Sequence, residues 1–210
     1  MYTLYGSRGS GSAAVEMGLH AAKLPYRVVR ASRWEADSAQ DELRKVNPLM
    51  QIPTLVLPGG AVMTESAAIL MHLGLDAVPP GKLLPQDPLA RAQILRGLVY
   101  IPANCYSGIT AIDYPERFTT ATDEASLEAV KQGTRRLLHA NWEIFADTFS
   151  ASPFLNGEAP GALDFLAVVV SRWGGTRPHL KEHRPAFSDL LARIQAHPTV
   201  WPIYSQHWDA

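Results

Sequence analysis

Two groups of residues, about a dozen positions apart, suit the two ends of a small peptide. Pro53 follows Ile52 at the start of an apolar run, where an X-Pro bond can adopt the cis form. A cis bond would turn the N–H and C=O groups of Ile52 outward, where an extended peptide could pair with them like an added strand. Glu65 and Ser66 open a helix, where free N–H groups favour a carboxylate. Ser66 can donate to that carboxylate and Glu65 can accept from an ammonium group, so this end suits a zwitterionic amino-acid head.

A β-hairpin and the helix after it must position these groups. Residues 53–57 are expected to form one strand and residues 61–63 the next, with Pro58-Gly59-Gly60 as the turn. The helix begins at residues 64–66, and its apolar residues recur on one side. The alternative is an edge-strand proline followed by an ordinary helix capped by Thr64, with no ligand at either place.

The motifs Gln51-Ile52-Pro53 and TESAAIL, which spans residues 64–70, resemble two motifs of the glutathione S-transferase superfamily. The first is similar to that family's cis-proline motif and the second to its γ-glutamyl motif. Glutathione is a thiol tripeptide with a γ-glutamyl zwitterion at one end, so it fits both groups. The resemblance extends over nearly the whole chain and implies glutathione as co-substrate.

The order of elements before the hairpin predicts an α/β domain of the thioredoxin-like type. Residues 2–5 and 26–30 have strong β propensity, and a helix that begins at Ala13 separates them. Strands joined through a helix run parallel, so the first two strands are expected to be parallel. A second, short helix is expected over residues 37–46.

A proline-rich segment predicts the boundary between two domains. Residues 76–88, DAVPPGKLLPQDP, have no helical periodicity and are typical of an interdomain linker. The prediction divides the chain into a glutathione-binding domain over residues 1–76, a linker over 77–88 and a helical domain over 89–210.

Apolar periodicity from residue 89 onward predicts an all-α bundle. One long helix is expected over residues 89–112, bent at Pro102 because proline lacks a backbone donor. Further helices are expected over residues 127–145, 164–173 and 187–194, the second of them apolar nearly all round as at a bundle's centre. This combination resembles the cytosolic glutathione transferase fold.

The helix at residues 164–173 lacks one residue that family members usually have before it. They begin it with a Ser-x-x-Asp capping box, whereas Gly161 stands here in place of the serine. Glycine at an N-cap costs only a few tenths of a kcal/mol relative to serine. Asp164 can still accept from the Gly161 N–H group, so it is expected to be structural.

The resemblance implies a hydroxyl group that activates the thiol of glutathione near the start of the first helix. Lowering a thiol pKa of about 8.5 by roughly two units needs about 2.7 kcal/mol of preference for the thiolate. The candidates are Ser10, then Ser12, then Tyr5. Ser12 could instead only cap the helix, and Tyr5 could only pack. Gly11 stands where cysteine-type relatives have their cysteine, so mixed-disulfide chemistry is not expected.

Other residues are expected to bind the rest of glutathione and the second substrate. Gln51 is a candidate donor to the glycyl carboxylate, with Trp34 and Arg44 as weaker candidates. Aromatic and polar residues on the bent helix and at the end of the chain could line a pocket for a hydrophobic acceptor. These are Tyr100, Asn104, Tyr106 and Trp173, with Tyr204 and Trp208.

Composition excludes several other classes of function. The net charge is −1 and there is no long basic run, which argues against nucleic-acid or membrane binding. No secretory signal is present, so a cytoplasmic protein is expected. The lone Cys105 cannot form an internal disulfide. His179 and His183 are spaced i, i+4 but lack the other features of a zinc helix, so no metal is expected.

The resemblance therefore implies a homodimeric transferase that directs the glutathione thiolate onto a small hydrophobic electrophile, a chemistry typical of detoxification. Two alternatives stay open. One is a glutathione-dependent isomerase or disulfide reductase on the same fold, and the other is a non-catalytic transferase-like interaction module. The cysteine-free loop weakens the first, and the presence of Gln51, Pro53, Glu65 and Ser66 weakens the second.

Overall fold

The computed structural model describes residues 1–149, 151 and 153–208. Its first part alternates short strands and helices in the predicted order. These elements are β1 (Tyr2–Gly6), α1 (Ser12–Ala21), β2 (Tyr26–Arg30), α2 (Gln40–Val46), β3 (Thr54–Val56), β4 (Val62–Thr64) and α3 (Ser66–His72), which continues as a π-helix over Leu73–Ala77.

The strands of this part form a mixed sheet in the order β2-β1-β3-β4. β1 and β2 are parallel and pair Tyr2 with Tyr26, as predicted from the helix that connects them. β1 and β3 are antiparallel, as are β3 and β4 of the hairpin. This sheet with its helices is the thioredoxin-like domain, and its central strand β1 leads directly into the loop before α1.

Several boundaries differ from the sequence prediction by one to three residues. The hairpin strands are three residues each, because the turn at residues 57–61 is closed by backbone hydrogen bonds of its own. α2 begins at Gln40 rather than at residue 37. The Ser38 side chain bonds to the backbone of Ser32 and Glu35, which holds the residues before Gln40 in a turn.

The second part is helical. Its helices are α4 (Pro88–Tyr100), α5 (Ser107–Asp113), α6 (Glu124–Thr148), α7 (Ala162–Val170), α8 (Thr176–His183), α9 (Pro185–Ala196) and α10 (Trp201–His207). The helix predicted over residues 89–112 is continuous but changes pitch, because a π-helix over Ile101–Tyr106 joins α4 to α5. Pro102 lies in this π-helix, where its missing N–H group interrupts the α-helical hydrogen bonding.

One hydrophobic core joins the sheet to the helices. Every residue of α7 is buried, as its apolar sequence predicted. α1 contacts both β1 and α7, so the loop before α1 lies against the helical part. In the ranges described above, no helix is long and apolar enough to span a membrane.

The structure explains the glycine at the start of α7. A Cβ atom built on Gly161 would collide with the side chain of Asn156 and lie 2.6 Å from the carbonyl oxygen of Leu83. Asp164 is fully buried and accepts from the N–H groups of Gly161, Asn156 and Leu155 at 2.9–3.0 Å. The carboxyl group therefore caps α7 and holds the preceding loop, which is the structural role predicted for it.

Candidate active site

A cavity of about 970 Å³ lies between the thioredoxin-like domain and the helices α4 and α5. Its volume is near the upper end of the range for small-molecule sites, which leaves room for two ligands. One wall comes from residues 8–11, 33–34, 50–53 and 64–68. The other wall comes from residues between 99 and 114, together with Trp173.

The two predicted peptide-binding groups face this one cavity. Gln51, Ile52 and Pro53 line it on one side, and Glu65 and Ser66 line it on another. The Ile52–Pro53 peptide bond is cis. Glu65 has φ +63°, a backbone conformation that is costly for a residue with a side chain and that recurs at ligand sites.

Asn47 and Thr54 fix the loop that carries Gln51. The buried amide of Asn47 donates to the Gln51 carbonyl oxygen and to the Thr54 hydroxyl, both at 3.0 Å. The Thr54 hydroxyl also donates to the Gln51 carbonyl at 2.8 Å. Asn47 was not predicted to support the site, and its only signal in the sequence is the Asn-Pro turn.

Trp34 lines the cavity, although more than half of its surface is exposed. Its neighbour Arg33 also lines the cavity, which sequence analysis missed. Arg44 is not a lining residue; its guanidinium forms a surface ion pair with Asp41 at 2.8 Å. Arg33 and Arg44 do not belong to a periodic pattern, so the sequence could not show which of the two lines the cavity.

The structure separates the three candidate hydroxyl groups. Ser10 lines the cavity, whereas Ser12 and Tyr5 are buried away from it. The Ser12 hydroxyl oxygen accepts from the N–H group of Ser7 at 3.3 Å and ties the loop to the start of α1. Tyr5 packs in a small apolar cluster with Ala31.

The Ser10 hydroxyl group already has hydrogen-bond acceptors inside the loop. The Ser10 hydroxyl oxygen lies 2.8 Å from the Ser7 carbonyl oxygen and 2.8 Å from the Ser12 hydroxyl oxygen. The Ser12 hydroxyl in turn lies 3.3 Å from the same carbonyl. Both serine hydroxyl groups therefore stabilise the loop, and a ligand would have to compete for the Ser10 proton.

Glu35 holds the same loop from its other side. Its carboxylate accepts from the hydroxyl groups of Ser7 and Ser32, each at 2.9 Å. Partial burial acts to raise the pKa of the Glu35 carboxyl, but these bonds and the nearby Arg30 guanidinium outweigh it and lower that pKa. Glu35 therefore stays ionised near neutral pH as an anchor for Ser7.

The loop is also held from the far end of the chain. The buried His207 ring of α10 accepts from the Gly9 N–H group at its Nδ1 atom, at 3.2 Å. The Nε2 atom of His207 lies 2.8 Å from the carboxyl group of Glu16 in α1. Since Nδ1 is the acceptor, Nε2 carries the hydrogen atom and donates a hydrogen bond to Glu16. No local sequence pattern indicates a contact between residues so far apart.

Two of the four predicted pocket residues reach the cavity. Tyr106 and Trp173 line it and stack on each other, with ring centroids 5.6 Å apart. Tyr100 and Asn104 are not among its lining residues. The Tyr100 hydroxyl donates to the backbone carbonyl of Asn141 at 2.9 Å, because this side of the helix packs against α6.

The two aromatic residues near the end of the chain do not reach the cavity either. Tyr204 and Trp208 are not lining residues, and Arg172 lies over both rings. The cavity instead includes polar residues that sequence analysis did not select, and these are Arg8, Thr110, Asp113 and Tyr114. They come from the loop before α1, from α5 and from the residue after it, without a recognisable motif.

Comparison with known proteins decides the family. YncG, an uncharacterized GST-like protein of Escherichia coli (strain K12), is 34% identical over 210 residues, which cover 99% of this chain and 98% of YncG. The chain belongs to the glutathione S-transferase superfamily. The sequence-family model of the glutathione S-transferase N-terminal domain also matches residues 12–74.

Two further matches agree with this family. GstA of Escherichia coli O157:H7, a glutathione S-transferase, is 36% identical over 156 residues, covering 72% of this chain and 73% of GstA. A crystal structure of a glutathione transferase homologue from Sulfitobacter, solved with bound glutathione, superposes with a TM-score of 0.80. That match has 24% identity and covers 97% of this chain and 96% of the other, and it shows the shared fold.

Within this family member, Cys105 is fully buried, and burial raises the pKa of its thiol to about 12. It is therefore poorly placed to act as a nucleophile. Among the residues that the structure describes, no three or more His, Cys, Asp or Glu side chains are grouped to hold a metal ion. His179 instead contacts the carboxyl group of Glu143 at 2.8 Å.

Proposed function

We propose that this protein is a glutathione transferase that joins the glutathione thiolate to a small hydrophobic electrophile. One observation carries the proposal: Ile52 and Pro53 share a single cavity with Glu65 and Ser66, in a chain of this family. The glutathione bound to the Sulfitobacter homologue of the same fold supports the same ligand here.

Each end of glutathione has matching groups in the cavity. The γ-glutamyl carboxylate would accept from Ser66, and its ammonium group would donate to Glu65. The cysteinyl backbone would pair with the backbone of Ile52. Gln51 and Trp34 lie beside this loop, where the glycyl end of an extended tripeptide would reach.

The reaction needs a thiolate held beside an apolar space. A free thiol is only a few per cent ionised at neutral pH, so stabilising its anion raises the concentration of the nucleophile. The thiol proton passes to solvent, sulfur forms a bond to an electrophilic carbon, and the leaving group departs with its electron pair. The remainder of the cavity, beside Tyr106 and Trp173, would hold the electrophile.

The finer parts of the proposal come from the family. We propose a glutathione-binding domain over residues 1–76, a linker over 77–88, a helical domain over 89–210, and assembly as a homodimer. Disulfide reduction through a cysteine of the enzyme is disfavoured because Cys105 is buried.

Calorimetry with glutathione tests the proposal directly. We expect the unmodified protein to bind glutathione at millimolar concentration or below. Glu65→Gln should weaken binding about 10- to 100-fold, because a hydrogen bond to a charged group is worth about 1.5–3 kcal/mol. The matched control is Glu42→Gln, a carboxyl group on α2 that does not line the cavity.

The same samples are then assayed with a chlorodinitrobenzene as the electrophile. Conjugate formation should fall with Glu65→Gln and stay unchanged with Glu42→Gln. Absence of glutathione binding by the unmodified protein at millimolar concentration would refute the proposed function and favour an interaction module.

A further inference from the structure

The hydroxyl group of Tyr106 occupies the space that a side chain at position 11 would fill. A Cβ atom built on Gly11 would collide with the Tyr106 hydroxyl oxygen and would lie 3.3 Å from the Cζ atom of that ring. Gly11 and Tyr106 both line the cavity. Glycine at position 11 thus admits a phenol from the helical part to the edge of the loop that carries Ser10.

The Tyr106 ring is held in this place by its surroundings. It stacks on Trp173 with 20° between the ring planes, and it is the last residue of the π-helix after Pro102. A π-helical turn changes which side of a helix the following residues face, and such turns recur at functional sites. The geometry therefore aims the hydroxyl group at the cavity wall formed by Gly11.

The Tyr106 hydroxyl has a proton to give. It forms no hydrogen bond with any residue in the described part of the chain. Burial, and then the negative charges of Glu65 and Asp113, raise the pKa of Tyr106 to about 12. The phenol therefore stays protonated at neutral pH and can donate without losing its proton. The Ser10 hydroxyl, by contrast, already has the Ser7 carbonyl as acceptor.

We infer that the Tyr106 hydroxyl donates the hydrogen bond that stabilises the thiolate of bound glutathione, an inference that rests on the function proposed above. The sulfur lies near the middle of the tripeptide, so binding at Ile52 and Glu65 brings it toward the loop at Gly11. A hydrogen bond from a neutral donor to an anion is stronger than one to a neutral acceptor, so the bond favours thiolate over thiol. The resemblance implied that a hydroxyl group of the first domain would donate this hydrogen bond; here a residue of the helical part donates it.

Tyr106→Phe is the direct test, because phenylalanine keeps the ring and its stacking and removes only the hydroxyl group. We expect the glutathione affinity to change by less than about threefold. The pKa of the bound thiol, followed by thiolate absorbance, should rise by about one unit. At a pH below that pKa, where the thiolate fraction falls about tenfold per unit, kcat/KM with a chlorodinitrobenzene should fall about tenfold. The matched control is Tyr100→Phe, whose hydroxyl group bonds to Asn141 away from the cavity and should leave all three values unchanged.

A double-mutant cycle with Gly11 adds a test of the geometry. Gly11→Ala should push the phenol aside and raise the bound thiol pKa about as much as Tyr106→Phe does. Combined with Tyr106→Phe, it should add little, since the group it displaces is already gone. Independent, additive effects of the two substitutions would contradict the contact.

Two outcomes separate this inference from the function beneath it. If the protein binds glutathione and Tyr106→Phe leaves the thiol pKa unchanged while Ser10→Ala raises it, the Tyr106 inference is overturned and the proposed function stands. If the unmodified protein binds no glutathione, both fail together. Thermal melting of each variant checks that the fold is retained.

Discussion

Replacing His207 by alanine tests whether the end of the chain holds the loop that contains Gly9 and lines the cavity. The imidazole bridges two elements of the first domain, since it accepts from Gly9 and donates to Glu16. Both His207 and Glu16 are less than 10% exposed. Alanine removes both hydrogen bonds; among the residues that the structure describes, the Glu16 carboxyl group then keeps the hydroxyl of Tyr26, at 3.4 Å, as its side-chain partner.

The magnitude follows from burial. Leaving a buried polar group without its hydrogen-bond partner costs about 1–3 kcal/mol, and more when that group is charged. Because Gly9 and Glu16 both lose a partner, we take a cost of about 3 kcal/mol. For a chain of this size, 1 kcal/mol corresponds to about 2–4 °C in Tm. We therefore expect His207→Ala to lower Tm by about 6–12 °C or more. Since Gly9 lines the cavity, the same variant should also weaken glutathione binding.

The assay is thermal unfolding followed by circular dichroism, with a histidine on the surface as the control. His72 lies 3.0 Å from Asp76, and both side chains are partly exposed. A surface pair contributes about 0–1 kcal/mol, so His72→Ala should lower Tm by no more than about 4 °C. Equal losses from the two substitutions would show that burial of the His207 bridge does not determine its contribution.

Two further predictions concern the helical part. Asp164→Asn should lower the free energy of unfolding by about 2–4 kcal/mol, because an NH₂ group would then face backbone N–H donors; an unchanged urea midpoint would contradict this. Burial lowers the pKa of His139, which donates to the Gly174 carbonyl at 3.0 Å, so the native state binds fewer protons than the unfolded state. Stability should therefore be full above about pH 6.5 and fall as pH drops through the native pKa. His139→Gln should reduce that loss in urea unfolding, and an unaltered pH profile would assign it to other groups.

Local chemistry allowed the strand and helix order of the first domain to be predicted, and with it the positions of Pro53 and of Glu65 and Ser66. Pro53 restricts the backbone of the residue before it. Glu65 and Ser66 mark the start of a helix within a few residues of the hairpin turn. Strand and helix order followed from β propensity and apolar spacing, both of which act over short segments. These signals lie within a few residues of the groups they position, so the sequence alone was enough to identify them.

The helical wall of the cavity could not be predicted in the same way. Tyr100, Asn104 and Tyr106 are equally aromatic or polar, but only Tyr106 faces the cavity. Tyr100 and Asn104 are four residues apart, and both contact Asn141 of α6. Which side of a helix faces a neighbour depends on packing against distant elements and on the π-helix, and neither is encoded in the local pattern.

The loop before α1, which lines the cavity, could likewise be predicted only in part. The sequence placed several hydroxyl groups before α1, but only the folded chain shows that Ser12 is buried and that Ser10 is bonded to the Ser7 carbonyl. The contacts of Gly9 with His207 and of Gly11 with Tyr106 join positions far apart in the chain. Such contacts depend on how the two parts pack together, so they exist only in the tertiary structure.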